Sequence, residues 1–445
     1  MSKPKTIFRP EVIGWSLYDF ANTIFSMNIL SLYFKRWVVE DLQYDGLYYD
    51  LSYSVSMLLA GLIMPALGAI SDRSNKKKIF LFLFTFACCL SLGLVPIIPN
   101  SLIVAIVIVF GLSNFFYEGG LVFYNSLLYT VSDGKEARVV SGFGVALGYF
   151  GSIVGMILVL PFVTGGIYGI NITWLEGWGK VGSFLPTAIL FLLFSIPLFV
   201  TVKATRIASK RKLGGIKKAY SDVWEGIKDT KKYPGVLRFL IADYFFEDSV
   251  ATVILNIGIF SSLVIGLSDT DINTFLIIST VSAMIGSYLI GKLSAKMNLK
   301  KLMTIVIWGW IFSLTIFAFT ENIFIIYLLG SFIGILLGGL WTLSRPLLAE
   351  MVPRGELGRF FGLYSLSGRS AAVVGPIIWG LLVFIFNPAR PVGQFVSTMF
   401  DLTSESAAKL PYRIGVLSLV LIMAVGLYIF RKVPASEFGR DKAVD

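Results

Sequence analysis

Seven charged residues interrupt otherwise apolar stretches of this 445-residue chain, and polar chemistry is most plausible at these positions. A charge at the centre of a membrane span costs about 2.5–3.5 kcal/mol on insertion scales, so such groups persist where they face a wet cavity or each other. A carboxylate there can bind an amine or carry a proton, because burial favours the neutral acid. An arginine offers a planar fork of donors that suits a carboxylate or phosphate. The seven are Asp19, Glu118, Asp243, Glu247, Asp248, Arg345 and Arg369.

Depth within the apolar stretches separates these candidates. Arg345 lies only about four residues from the inner end of its stretch, where its side chain could equally reach the headgroups. For Asp243, the alternative to a functional role is likewise a position close to the inner surface. For the other charged residues, the alternative is a structural ion pair or a polar network. The residues that we predict to carry a coupling proton are Glu118, Glu247, Asp248 and Asp19. Those predicted to bind substrate are Arg369, Arg345, Asn22, Asn125, Tyr117, Asn256 and Trp341, with Thr23, Asn28, Asn114 and Ser344 as weaker candidates.

The elements that position these residues are predicted to be membrane helices. The chain is 56% hydrophobic and 15% charged, whereas soluble domains carry roughly 25% charged residues. A stretch of about 18 apolar residues crosses a bilayer core, and twelve such stretches are present. They are approximately 12–37, 51–70, 79–98, 102–130, 139–162, 183–202, 237–263, 272–291, 302–320, 323–349, 359–386 and 412–430. The pattern predicts an all-α membrane protein, and no nucleotide-binding loop or catalytic constellation indicates an enzyme.

The net charge of +11 could suggest a nucleic-acid partner, but the distribution of the charge argues against one. With the N-terminus inside, thirty of the 38 lysines and arginines fall on the cytoplasmic side and two within spans. This asymmetry follows the positive-inside rule and places both termini in the cytoplasm. The six basic residues assigned to the outer side are Lys35, Arg36, Lys180, Arg390, Lys409 and Arg413.

The composition predicts neither a cofactor nor a metal site. The chain has no histidine, the commonest metal ligand and the usual proton switch near neutral pH. Its two cysteines, Cys88 and Cys89, are adjacent within an apolar stretch and are predicted to be small core residues.

Internal repeats indicate a duplicated bundle. The segment Gly68–Lys78 reads GAISDRSNKKK, and Gly291–Lys301 reads GKLSAKMNLKK. Asp19–Ile24 likewise matches Asp248–Val253. A third match pairs Gly142, Gly148 and Gly155 with Gly362, Gly368 and Gly375. Duplicated bundles with a seam between their halves are how transporters build a path with two gates.

The predicted domains follow from this duplication: a six-helix bundle over 1–202, a basic cytoplasmic linker over 203–235, a second six-helix bundle over 236–433, and a tail over 434–445. Within the linker, apolar residues recur at helical spacing from Ile216 to Ile227, with charged residues between them. We expect an amphipathic helix on the inner membrane surface, ended by Pro234 and Gly235.

The first copy of the repeated loop is a candidate gate. Gly68 permits close helix approach, and Asp72 could accept hydrogen bonds from the N-terminus of a neighbouring helix. Arg73 and Lys77 complete the predicted gating residues. In the second copy Ala295 replaces the acid, so that latch is expected to be weaker.

These residues resemble the major facilitator superfamily, whose corresponding loop reads G-x-x-x-D-R/K-x-G-x-R/K-R/K, although Asn75 replaces its second glycine. Further segments resemble the vacuole-effluxer-like (autophagy-related) branch. They are YDFANTIF at 18–25, SGFGVALGYFG at 141–151, GGLWTLSRPLLAEMVP at 338–353 and FFGLYSLSGRSAAVVGP at 360–376, with Trp341 and Pro346 as departures. The resemblance implies two pseudo-symmetric six-helix bundles, a cavity lined by spans 1, 4, 7 and 10, and alternating access. Fungal members are associated with amino-acid export from the vacuole.

The prediction is therefore a secondary active transporter of a small polar or zwitterionic solute, with amino acids as candidates and a proton as the candidate coupling ion. Two alternatives stay open: an exporter of amphipathic or lipid-like compounds, and a non-transporting membrane sensor that signals through the basic linker. The compact chain, without long extra loops, favours a prokaryotic cytoplasmic (inner) membrane. The expected partners are a small-molecule substrate and the lipid bilayer, with no nucleic acid, and a monomer is expected.

Overall fold

The computed structural model describes residues 8–74, 76–132, 134–167, 170–172, 178–202, 216–294, 296–352 and 357–434, and the chain is almost entirely helical there. The first half contains α1 (Pro10–Phe25), α2 (Leu47–Ser74), α3 (Lys77–Leu94), α4 (Ile103–Val131), α5 (Gly134–Thr164) and α6 (Phe184–Thr201). The second half contains α7 (Ile216–Asp229), α8 (Pro234–Leu263), α9 (Asp269–Ser294), α10 (Leu299–Phe319), α11 (Ile323–Met351), α12 (Leu357–Ala371), α13 (Val374–Ile385), α14 (Pro391–Met399) and α15 (Ser404–Arg431). Short 3₁₀ turns cover Val95–Ile97, Lys180–Ser183 and Thr230–Lys232, and β1 (Gly166–Ile167) pairs antiparallel with β2 (Ile170–Asn171).

The first span does not end with α1. It continues as π-helix over Ser26–Tyr33, returns to one α-turn at Phe34–Arg36, and ends as π-helix over Trp37–Asp41. Its counterpart α8 has no such segment. π-Helix is rare and occurs mostly as single turns inside α-helices, and the apolar pattern of the sequence gives no sign of it.

All twelve predicted spans lie on helices, which confirms the twelve-helix, all-α architecture. Within the residues described, nine helices are long and apolar enough to cross a membrane, and Leu47–Ile63 and Val374–Ile385 are shorter apolar helices. The chain is a multi-pass membrane protein. Cys88 and Cys89 are buried and free, as predicted.

The eleventh span differs from the prediction of one continuous helix over 359–386. Helix α12 ends at Ala371 and α13 begins at Val374, so the span is two helices in sequence. The apolar residues continue without interruption through the break, so hydropathy alone could not locate it.

Two compact units divide the chain, Met1–Tyr220 and Ser221–Asp445. In the first unit, α1 packs on α5 and α6, α4 packs on α2 and α3, and α3 packs on α6. In the second unit, α8 packs on α12, α13 and α15, α11 packs on α9 and α10, and α10 packs on α15. The same five helix pairs therefore recur, so the duplication read from the sequence is also present in the packing.

Small residues bring α9 and α11 into backbone contact. A Cβ atom added at Gly334 would lie 2.2 Å from the carbonyl oxygen of Ser279, and one at Gly338 would lie 2.2 Å from that of Ala283. In return, a Cβ atom at Gly286 would lie 2.5 Å from the Cα of Ile335. Without hydrophobic attraction between helices in lipid, such close packing is a main source of helix association.

Acidic residues compensate five of the six basic residues assigned to the outer side. Lys35 is buried and reaches both carboxyl oxygens of Asp50 at 2.7 and 2.8 Å. Arg390 instead places its guanidinium 4.0 Å from the ring centroid of Phe384. The remaining pairs are Arg36–Glu40, Lys180–Glu40, Lys180–Asp41, Lys409–Glu321, Lys409–Glu405 and Arg413–Glu321. These cations act as local structural partners of acids and leave the positive-inside asymmetry intact.

Helix α7 lies within the predicted linker, and three of its apolar side chains are exposed. Trp224 is 60% exposed, and Tyr220 and Ile227 are also exposed. The Tyr220 hydroxyl donates to the carbonyl of Leu62 at 2.7 Å. Exposed apolar and basic residues on one short helix are typical of helices that lie in a membrane interface. Residues 203–215 of the linker and the tail from 435 lie outside the described residues.

Candidate functional site

The first unit brings three of the predicted site residues together on α1 and α4. The side-chain amide of Asn22 donates to Asp19 Oδ1 at 2.9 Å, one helical turn apart. The Tyr117 hydroxyl donates across to Asn22 Oδ1 at 3.4 Å. Asn22 and Tyr117 are buried and Asp19 is half-buried. Asn22 thus connects a half-buried carboxylate to a neighbouring helix, an arrangement that can hold an amine or a proton.

The same acid faces a close approach of α5. A Cβ atom at Gly148 would lie 3.5 Å from the carboxylate of Asp19 and 3.3 Å from Thr23. The Thr23 hydroxyl donates to the Gly148 carbonyl at 2.7 Å. The glycine allows α5 to lie directly against the polar face of α1, as expected of glycines at membrane-helix contacts.

In the second unit, two carboxylates on one face of α8 contact α11. Asp243 Oδ1 and the Ser344 hydroxyl are hydrogen-bonded at 2.9 Å, and Glu247 Oε2 accepts from the Trp341 indole at 3.2 Å. The spacing of four residues places both acids on the same side of the helix. Asp243 and Ser344 are fully buried, whereas Trp341 is 40% exposed. The cluster therefore grades from a buried end at Asp243 to an accessible end at Glu247.

Two further groups complete this second-unit cluster. Arg345 on α11 is exposed and interacts electrostatically with Glu247. Tyr364 on α12 lies beside Ser344 and within electrostatic reach of both acids. A carboxylate, an indole and a guanidinium thus lie together at the accessible end, with a serine and a tyrosine hydroxyl towards the buried end.

Asp248 points to a different helix from its neighbour Glu247, as the turn of about 100° between consecutive helical residues requires. Its Oδ1 accepts from the backbone N–H of Gly375 at 2.7 Å, in the first turn of α13. The first four N–H groups of a helix lack partners within the helix, and a carboxylate there is favoured by the helix dipole. Asp248 therefore stabilises the new helix start that the break after Ala371 creates.

This contact pairs the residues of the fifth and eleventh spans differently from the pairing that the glycine spacing suggests. Matching of the glycines pairs Gly148 with Gly368, yet Gly375, seven residues further on, contacts Asp248 as Gly148 contacts Asp19. Seven residues are about two helical turns, and glycines already recur at that spacing, so the sequence alone could not distinguish the two registers.

The other predicted residues are divided between partly exposed and buried positions. Glu118 is half-buried beside Tyr117 on α4, whereas Asn125 is exposed near the end of the same helix. Asn256 and Asn28 are buried and donate to backbone carbonyls one turn earlier in their own helices, at 2.8 and 3.0 Å. Asn114 joins helices by donating to Ser56 at 2.7 Å.

Two predicted groups fall partly or wholly outside the described residues. Arg369 lies on α12, but its side chain is outside the described part. The side chains of Asp72 and Arg73 at the end of α2 are also outside the described part, as are the surroundings of Gly68. Asn75 and Ala295 lie wholly outside it. Lys77 is half-buried at the start of α3. The proposed gate therefore stays a prediction.

Sequence reasoning gave Asp243 little weight and missed Tyr364. A position near the inner surface is one alternative for Asp243 in the sequence, and the structure buries its side chain completely against Ser344. Its spacing of four residues from Glu247 was the available signal. Tyr364 had no signal, because a tyrosine in a membrane helix is common and only the fold brings it beside the two acids.

The fold and these charged, partly accessible clusters in paired helical units define a membrane transporter of the major facilitator type. A family model described as "Vacuole effluxer Atg22 like" matches residues 128–400, and one described as "Major Facilitator Superfamily" matches residues 2–156. Because the first match covers more than half of the chain, the protein belongs to the Atg22-like vacuole effluxer family. It is a transporter-family protein and not an enzyme.

Relatives and solved structures agree with this assignment. The chain is 24% identical to an "Uncharacterized MFS-type transporter YxiO" of Bacillus subtilis, over 96% of this chain and 95% of the relative. It is 26% identical to "Autophagy-related protein 22" of Kluyveromyces lactis, over 80% and 76% of the two chains. A bacterial homologue of the human lysosomal transporter Spinster superposes with a TM-score of 0.72 at 12% identity, over 100% of both chains. At that identity the structural likeness concerns the fold alone.

Proposed function

We propose that this protein is a proton-coupled secondary transporter of a small zwitterionic or polar solute, with amino acids as the leading class. The observation that carries the proposal is the second-unit cluster, where Glu247, Trp341 and Arg345 present a carboxylate, an aromatic ring and a guanidinium at its accessible end. A zwitterion needs one group of each charge, and an ammonium group also binds favourably to an indole face.

The membrane setting forms part of the same proposal. The positive-inside asymmetry supports a cytoplasmic position for both termini, and the compact chain without long extra loops supports a prokaryotic cytoplasmic membrane. A monomer is sufficient because each unit contains its own six spans. Alternating access would follow from preferential solute binding to one of two conformations. The remaining site predictions, Arg369 as an anion contact and the loop at Gly68–Lys77 as a gate, are retained here as proposals.

A solute screen in liposomes tests the proposal. Purified protein is reconstituted, and labelled amino acids, sugars, nucleosides and amphipathic drugs are offered with and without a pH gradient. We expect flux of an amino acid that accelerates when a proton gradient is imposed. Flux of amphipathic drugs alone would replace the proposed substrate class, and absence of all flux in folded protein would favour a membrane sensor.

Replacement of Trp341 by phenylalanine tests the site within that assay. The variant keeps an aromatic ring, but Glu247 loses its indole donor. Loss of a hydrogen bond of roughly 1 kcal/mol is expected to raise KM approximately five-fold. The matched control is Trp308→Phe on α10, an exposed tryptophan that lies beside Arg431. An equal KM in wild type and both variants would remove Trp341 from the site. Arg369→Gln, assayed alongside, is expected to raise KM as well.

A further inference from the structure

We infer that Asp243 is a proton-binding site and that it holds its proton in this conformation. Asp243 is 0% exposed, and its Oδ2 atom has no hydrogen-bond partner among the described residues. A buried carboxylate with one neutral donor is costly, because removal of an unpaired ion from water costs several kcal/mol. The neutral acid avoids that cost.

The hydrogen bonds of Ser344 support the same protonation state. Its hydroxyl oxygen lies 2.9 Å from Asp243 Oδ1 and 3.1 Å from the carbonyl oxygen of Leu340. A serine has one hydrogen to donate, so it cannot donate to both acceptors at once. If Asp243 is protonated, its O–H donates to Ser344 Oγ, and Ser344 donates to Leu340. Both short contacts are then satisfied hydrogen bonds.

The groups around Asp243 and Glu247 favour a proton on Asp243 over a proton on Glu247. Glu247, one turn away, is half-buried and has the Trp341 donor and the nearby Arg345 guanidinium, so a negative charge is better compensated there than on the fully buried Asp243. Asp243 has neutral hydroxyl neighbours, Ser344 and Tyr364. Two carboxyls this close in a low-dielectric site titrate as a pair and ionise in steps. The proton therefore belongs on Asp243 and the negative charge on Glu247.

A role follows for this pair during transport. Glu247 at the accessible end exchanges a proton with water or with an arriving solute, and Asp243 stores that proton at the buried end. Transfer of the proton between the two carboxyl groups leaves the charge of the pair unchanged, whereas the exchange with water or solute at Glu247 changes it by one. This coupling role rests on the proposed function, whereas the protonation state of Asp243 does not.

Infrared difference spectroscopy of the purified protein tests the protonation state directly. At neutral pH, the spectrum of wild type minus Asp243→Asn is expected to show the carbonyl stretch of a protonated carboxylic acid. A difference confined to the two carboxylate bands would overturn the inference. Glu405→Gln is the control, because Glu405 is exposed and paired with Lys409, so its difference spectrum is expected in the carboxylate region.

A second variant covers the case in which Asp243→Asn does not fold. Ser344→Ala leaves Asp243 in place but removes its hydrogen-bond partner, so the acid band is expected to shift to higher frequency without loss. A signal in the carboxylate region alone would again contradict a stored proton. Because neither spectrum requires a substrate, failure to detect transport would leave this result intact and would count only against the coupling role.

Discussion

Replacement of Lys35 by methionine is expected to destabilise the protein by about 3–5 kcal/mol, because the buried carboxylate of Asp50 would lose the cation that it is paired with. The side chains of Lys35 and Asp50 are 5% and 1% exposed, and their charged atoms are 2.7 Å apart. The pair joins the C-terminal end of the first span to the start of α2. Thermal unfolding in detergent, followed by intrinsic fluorescence, measures the effect.

Two companion variants separate pairing from simple loss of a lysine. Lys409→Met removes a cation whose partners Glu321 and Glu405 are 44% and 77% exposed, and exposed pairs contribute about 0–1 kcal/mol. The double variant Lys35→Met with Asp50→Leu removes both buried charges and is expected to recover most of the lost stability. If Lys35→Met is no more harmful than Lys409→Met, the buried pair does not stabilise the first unit.

Replacement of Gly334 by alanine is expected to reduce the yield of folded protein and to cost at least the 1–3 kcal/mol that is typical of overpacking. The added Cβ atom would lie 2.2 Å from the backbone carbonyl of Ser279, and backbone cannot move aside as a flexible side chain can. Helices α9 and α11 would have to separate along their contact. Fluorescence-detected size exclusion and thermal unfolding report the loss.

Gly61→Ala on α2 is the matched control. A Cβ atom at Gly61 would meet nothing within 4 Å, so this change is expected to be neutral or slightly stabilising, since alanine is the better helix former. Equal behaviour of the two variants would show that α9 and α11 do not approach as closely as the structure places them.

Much of the fold could be predicted because its causes are local. Hydropathy located all twelve spans, since a bilayer requires long apolar helices with internally bonded backbones. The repeated loop and the matched Asp19 and Asp248 segments indicated a duplication, which the packing of α1 and α8 confirms.

The remaining features depend on residues far apart in the sequence. The break between α12 and α13 is stabilised by Asp248 on another helix, and its local signal is Pro376, which has no N–H to donate to the carbonyl of Ala372. Depth along a span could be read from the sequence, but the facing direction could not, so Asp243 was underestimated relative to Glu247. The hydropathy of the first span likewise gives no sign of its π-helical part.

The most direct test of coupled transport compares wild type with Glu247→Gln in the same liposomes. For a labelled substrate found by the screen, uptake driven by a pH gradient and counterflow without a gradient are measured side by side. Removal of the titratable group at the accessible end is expected to abolish gradient-driven accumulation, while counterflow persists with a raised KM because Glu247 also belongs to the proposed binding cluster. Unchanged accumulation in Glu247→Gln, in protein shown to be folded, would contradict proton coupling through α8.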